Sequence, residues 1–304
     1  VTIGDVEVIN EAGALAPRPT IRLPGGERLA YFEAGAGDDV LLIHGATLTS
    51  HDMRASLLEP LGERFHTVAV DRPGHGLSTR PRFGGSLGRL AGTIAEGAAQ
   101  LRLSRPIVVG HSIGGALAVE LALDFPDLVS GVVVINPIVF PEPRIEQALF
   151  GPRALLRLAG LGSTSTAGLD GAALPLLWRS IFLPQTPTSR FDAEMAFGEV
   201  RSGRGMAAVG EDALALFFDL SRNAGRYSSC RVPVEVVVGD ADIVVNPRLH
   251  GKLLARLLPN ARLTSLPGLG HMLHHFAPQI VVDRVEALTA SAGVAATSDA
   301  GARG

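Results

Sequence analysis

Gly110-His111-Ser112-Ile113-Gly114-Gly115 follows the apolar run Pro106-Ile107-Val108-Val109 and precedes the helix-like stretch Ala116 to Phe125. A strand that turns at once into a helix is the setting in which the pattern Gly-x-Ser-x-Gly presents a nucleophile. Such a turn forces the serine into a strained backbone conformation, and glycine at 110 and 114 lets neighbouring chain segments approach closely. Ser112 therefore reads as a nucleophile projecting above a sheet edge. It also falls at a helix start, where free N–H groups and the positive end of the dipole favour an oxyanion. Taken alone, the hexapeptide equally fits a serine N-cap flanked by glycines.

Two upstream segments have the same design. Val40-Leu41-Leu42-Ile43 ends in His44-Gly45-Ala46, and His66-Thr67-Val68-Ala69-Val70 ends in Asp71-Arg72-Pro73-Gly74-His75-Gly76-Leu77-Ser78. Each is a buried-strand pattern followed by a glycine-containing turn. With the serine turn in this order, residues 28 to 287 resemble the α/β-hydrolase superfamily, in its serine-nucleophile, esterase-like branch with a helical cap. The resemblance implies an α/β fold, a mostly parallel sheet with helices on both faces and an inserted cap.

It also implies the chain order Ser, then Asp or Glu, then His. Pro233 to Val238 reads as a strand ending in Gly239-Asp240-Ala241-Asp242, and Ala261 to Leu266 as one ending in Pro267-Gly268-Leu269-Gly270-His271. Asp242 stands where the family has its acid and His271 where it has its base. In the implied mechanism His271 takes the Ser112 proton while Asp242 fixes the imidazole tautomer. Asp240 is a rival acid, although an aspartate directly after Gly239 commonly just shapes a turn. Some members carry the acid one strand earlier; there the chain has Asn136, which cannot carry the charge. The oxyanion hole implied is the pair of backbone N–H groups of Ala46 and Ile113.

The other histidines take blander readings. His271 and His275 have the four-residue spacing of a helical metal pair, but Met272 and Leu273 stand between them and no Glu or Cys lies at ligand spacing, so no metal is expected. His274 and His275 read as the first turn of the last helix, and Phe276 replaces a Glu frequent in the family. His44, His75 and His111 are expected to bond local backbone, and His51 to take a surface or supporting role. Cys230 is the sole cysteine, so no intrachain disulfide is expected; it reads as a small buried residue.

The alternation of strands and helices breaks after Asn136. The chain divides into a core at 21–136 and 231–287, a helical cap at 137–230, an N-terminal arm at 1–20 and a disordered tail at 288–304. Pro24-Gly25-Gly26 marks a hairpin turn within 21–34. Inside the cap, Leu174 to Phe182, with Pro175 in its opening turn, and Ala213 to Leu220 are apolar helical segments. Gly160 to Gly171 and Ser202-Gly203-Arg204-Gly205 read as mobile loops. Aromatics gather in the cap, and Trp178, Phe182, Phe217 and Phe218 are the expected lining of an apolar chamber, which sets acyl preference without supplying catalytic groups.

A formal net charge of −3 with interspersed signs indicates neither a nucleic-acid surface nor a polybasic membrane patch. No stretch is apolar enough for a membrane span, and residues 1–20 lack a signal-peptide core. The expected localisation is cytoplasmic, with the proviso that the chain starts at Val1 and an upstream signal or anchor could precede it. The reading is a cofactor-free serine hydrolase whose partner is a small molecule: a carboxylic ester with a hydrophobic acyl or aromatic part, cleaved through an acyl-serine. Carbon–carbon bond hydrolysis or perhydrolysis would use the same residues. A non-catalytic ligand-binding or accessory protein on this fold is the alternative of another class.

Overall fold

In a computed structural model of the chain, residues 18–81, 83–143, 147–148, 151–152, 154–155 and 167–301 are described. Eight strands form one sheet in the order β1-β2-β4-β3-β5-β6-β7-β8. They are β1 (Thr20–Arg22), β2 (Arg28–Ala34), β3 (Asp39–Ile43), β4 (His66–Val70), β5 (Ile107–His111), β6 (Gly131–Ile135), β7 (Val234–Gly239) and β8 (Ala261–Leu266). β1 pairs antiparallel with β2 across the Pro24-Gly25-Gly26 turn, and β2 antiparallel with β4; every other pairing is parallel.

The apolar runs behave as strands buried on both faces do. In β3, Leu41 and Ile43 enter one core while Val40 and Leu42 enter the other; β6 splits Val132 and Val134 from Val133 and Ile135 in the same way. Helices α1 (Leu87–Gln100) and α2 (Ile113–Asp124) cover the first face. α1 does so with Leu87, Leu90, Ala91, Ile94 and Ala98, a one-sided helical stripe. α2 is buried almost all round, so Gly110 to Ala122 runs through the interior of the molecule.

Between β6 and β7 lie α3 (Ala167–Ser180), two short helices (Ser189–Glu194 and Phe197–Val200) and α4 (Gly203–Ala224). They build a third core around Trp178, Phe182, Phe191, Met195, Val209 and Leu174. Pro175 lies inside α3 rather than opening it. The segment Ser202 to Gly205, read as a mobile loop, is instead a helix start: Ser202 Oγ accepts from the Gly205 N–H at 3.1 Å and caps α4. Most of the other segment read as mobile, Gly160 to Gly171, lies outside the described residues, as does most of the N-terminal arm. The last helix, α5 (Pro278–Gly301), crosses the boundary drawn at 287, and Leu288 is buried against Gly131. No helix among the described residues is long and apolar enough to cross a membrane.

Strand order places the site. β3 is flanked by β4 on one side and β5 on the other, so the connections leave it in opposite directions and a crevice opens at the carboxyl ends of β3 and β5. At the β5 end Ser112 has φ 56 and ψ −118, a conformation that the glycines permit. A Cβ on Gly110 would sit 2.1 Å from the Gly114 carbonyl oxygen, and one on Gly114 2.2 Å from that of Ile43. Gly114→Ala should therefore lower stability by on the order of 3 kcal/mol, because the backbone of α2 or of the end of β3 must move. Gly198→Ala, whose Cβ meets nothing within 4 Å, should leave the urea midpoint almost unchanged. A neutral Gly114→Ala would disprove the packing argument.

Candidate active site

Ser112 is held from both sides by backbone. Its N–H donates to Ile135 O at 2.9 Å, and its carbonyl accepts from Gly115 and Ile138 at 3.0 and 3.1 Å. Ile113 is the first residue of α2, so its N–H has no acceptor within the helix and adjoins the positive end of the dipole. Across the crevice Ala46 follows β3 in the loop His44 to Thr49.

The residues expected as acid and base, Asp242 and His271, follow β7 and β8. His271, beyond β8, has Nδ1 2.8 Å from Asp242 Oδ2. The other carboxylate oxygen of Asp242 accepts from the N–H groups of Val244 and Val245 at 2.8 and 3.0 Å. Three donors thus fix a nearly buried carboxylate, and a carboxylate facing Nδ1 keeps the proton there and leaves Nε2 free as a base. Asp240 is exposed and accepts from the Gly268 N–H at 2.7 Å, as a turn former does.

Asn136 organises both loops, a role the sequence reading did not assign to it. At φ 41, its Nδ2 donates to the carbonyls of Gly270 (3.0 Å) and His271 (2.8 Å), while its Oδ1 accepts from the Gly239 N–H at 2.9 Å. The only sequence signal was its type, since asparagine tolerates positive φ better than other non-glycine residues. His111 Nε2 also bonds His271 O, at 3.1 Å.

Behind these residues lies a buried polar cluster. Asp52 faces His274 Nε2 at 3.2 Å and His275 Nε2 at 2.8 Å. The two histidines form a short turn before α5 rather than its first turn, and they stand at the place where Phe276 lacks a carboxylate. Burial alone would raise the Asp52 carboxyl, but the facing His274 and His275 hold it well below the usual range. Asp52, His111 and His274 bring one ligand atom each within 4.8 Å of one another. Each Asp52 oxygen faces an imidazole Nε2, one from His274 and one from His275, while His111 bonds the His271 carbonyl instead.

The remaining histidines are interior groups. His44 Nε2 accepts from the Arg72 N–H at 3.0 Å and its Nδ1 bonds Gly45 O; His75 faces Arg72. His51 is buried with its ring edge on Phe32, not at the surface. Burial depresses His44, His75, His111 and His274, and takes His51 to about 3.

Two cavities meet at Ala46. One is lined by Ser112, His271, His111, Thr47, Leu48, Leu177, Ile181 and Val244. The other, on the far side of Ala46, is bounded by Ile113, Ile138, Val209, Ala213 and Leu216, with Arg72, Asp212 and Gln147 as its polar part. Leu177, Ile181 and Val244 also border a wider, open cleft that reaches Asp242 and Arg248. Trp178 and Phe182 are buried in the core of the inserted helices, and Phe217 and Phe218 stand exposed on α4, so none of the four lines either cavity. Aromatic content was the signal followed, but the aliphatic neighbours on the same helices face the crevice.

The sequence model of the Alpha/beta hydrolase family matches residues 40–284. The chain belongs to that family. A 2-(acetamidomethylene)succinate hydrolase of Mesorhizobium japonicum is 30% identical over 257 residues, covering 83% of this chain and 88% of that protein. A haloalkane dehalogenase of Mycobacterium tuberculosis is 27% identical over 273 residues, 86% of this chain and 89% of its own length. Among solved structures, a thermophilic esterase from Thermogutta terrifontis superposes with a TM-score of 0.71 at 21% identity, covering 91% of this chain and 99% of that one; at that identity the match speaks for the fold. The hydrolase is thus placed by family, and its substrate is not.

Two measurements test this geometry. Asp242→Asn should lower kcat by about 10⁴-fold through the wrong imidazole tautomer, and Asp240→Asn by less than about threefold; equal losses would mean the acid is misassigned. Each depressed histidine binds its proton more weakly folded than unfolded, so the unfolded state gains protons as pH falls below about 6.5 and stability is lost there. Between pH 7 and 5 the unfolding free energy should fall with a slope approaching about 1.4 kcal/mol per pH unit for each such histidine. A pH-independent urea midpoint over that range would contradict the buried neutral state of these rings.

Proposed function

We propose that the chain is a serine hydrolase that cleaves a carboxylic ester with a hydrophobic acyl or aromatic part through an acyl-serine intermediate. The observation that carries this reading is the 2.8 Å contact of Asp242 with His271, in a cavity that His271 shares with a positive-φ Ser112 at a helix start. In the proposed reaction His271 Nε2 takes the Ser112 proton as Oγ attacks the ester carbonyl. The N–H groups of Ala46 and Ile113 receive the developing oxyanion, and His271 returns the proton to the departing alcohol. Water activated by the same imidazole then releases the acid.

A serine at 112 supports acyl transfer over the alkyl-enzyme chemistry of dehalogenases and epoxide hydrolases, which requires a carboxylate nucleophile. The aliphatic walls supplied by Ile138, Val209, Ala213 and Leu216 support an apolar acyl group beyond the oxyanion position. Residues 137–230 act in this reading as the cap over the site, with Leu177 and Ile181 of the cap and Val244 of the core at its mouth.

Ser112→Ala should reduce turnover of a nitrophenyl ester by about 10⁶-fold while keeping the unfolding midpoint, and should abolish labelling by a fluorophosphonate probe. Labelling of the variant, or its near-wild-type turnover, would exclude the acyl-serine. An unlabelled, inactive wild-type chain would favour the non-catalytic alternative.

A further inference from the structure

We propose that Trp178 is a positioning residue of the oxyanion loop. This rests on the serine hydrolase reading of the same site. The indole Nε1 of Trp178, on α3, donates to the Thr47 carbonyl at 3.0 Å, so a helix inserted after β6 grips the loop that follows β3. Thr47 adjoins Ala46, whose N–H is the proposed donor.

Thr47 also needs an external hold. Its φ is 54, in the left-handed region, where a β-branched side chain is a rare occupant. Its own hydroxyl donates back to Ala46 O at 2.7 Å, which ties the two residues into one rigid unit. If Thr47 relaxed, the Ala46–Thr47 peptide would turn and pull on the Ala46 Cα, displacing the adjoining Gly45–Ala46 peptide that carries the Ala46 N–H. Trp178 can resist this because it is itself immobile. It is 4% exposed, its ring packs on Phe197 at 4.4 Å between centroids, and Leu174, Phe182 and Met206 belong to the same core. The indole is therefore a strut from the core of the inserted helices to the catalytic loop. In this arrangement those helices contribute to transition-state stabilisation as well as to the shape of the chamber, contrary to the division of labour expected from the sequence.

A strut and a substrate-lining ring predict different kinetics. Loss of the N–H with the ring retained should lower kcat on nitrophenyl acetate by about tenfold or more and slow fluorophosphonate labelling in parallel. KM should stay within about threefold. Trp178→Phe is one variant that removes the N–H and keeps an aromatic ring, though a smaller one. Because Trp178 is the chain's only tryptophan, residue-specific replacement by benzothienylalanine, an isostere with sulfur in place of the N–H, provides a second that keeps the packing if the first does not fold. The single indole N–H resonance of the wild-type chain should in addition exchange slowly with deuterium.

A folded N–H-less variant with wild-type kcat and labelling rate would overturn the proposal, as would one that changed only KM, or rapid exchange of the wild-type indole. Wild-type chain that neither turns over ester nor takes the probe would overturn the hydrolase reading and this inference together. Active wild type with unaffected variants would overturn this inference alone.

Discussion

The constraint on which the molecule depends is the absence of any spacer between β5 and α2. One residue, Ser112, must reverse the chain from an interior strand into an interior helix, and it does so at φ 56. That is possible only where Gly110 and Gly114 let the helix backbone lie against β3 and the strand it leaves. The same crowding delivers the Ile113 N–H, Ala46 and the serine to one point. Strain of about 1–3 kcal/mol stored in such a residue must be held by its surroundings. Here they comprise the nearly complete burial of α2, the hydrogen bond that Ser112 donates to Ile135 and those its carbonyl accepts from Gly115 and Ile138.

A second organising contact is made by Asn136. Its amide spans the ends of β7 and β8, so the loops bearing Asp242 and His271 hang from one side chain. Neutral asparagine suits this task better than aspartate would, because it must donate to two carbonyls and accept from one N–H simultaneously. Asn136 thus holds together the loops that bear Asp242 and His271.

The inserted helices are tied to the core by charge as well as by apolar contact. Asp212 of α4 meets Arg72 at 2.7 Å and also pairs with Arg80, which reaches Glu211 at 3.1 Å; Arg222 meets Glu120 of α2 at 2.6 Å. Arg18 joins Asp71 at 2.9 Å and pairs with Glu199. Arg72–Asp212 and Arg18–Asp71 are buried on both sides, which is no guarantee of net stability, but removal of one partner strands the other's charge in the interior. Arg222 is half exposed. These pairs tie α4 and its neighbours to the core, and the Trp178 bond to Thr47 ties α3 to the loop that follows β3.

The core was legible in the sequence because its signals are local. A doubly buried strand must be apolar throughout, a sharp turn needs glycine, and both fall within a few residues of Ser112, Ala46, Asp242 and His271. The family resemblance ordered these pieces, and the fold agrees. What the tertiary structure alone decided depends on contacts between residues far apart in the chain. Asp52 meets His274 and His275 more than two hundred positions away, Trp178 meets Thr47, and the crevice is lined by Leu177 and Ile181 while the aromatics beside them turn inward or outward. Composition cannot tell these outcomes apart, since an aromatic on a helix satisfies the hydrophobic effect equally in a helical core or a substrate chamber. Which face points where is set by how the inserted helices dock on the sheet. Local sequence thus determined the strands, the turns and the reactive groups, and docking decided what surrounds them.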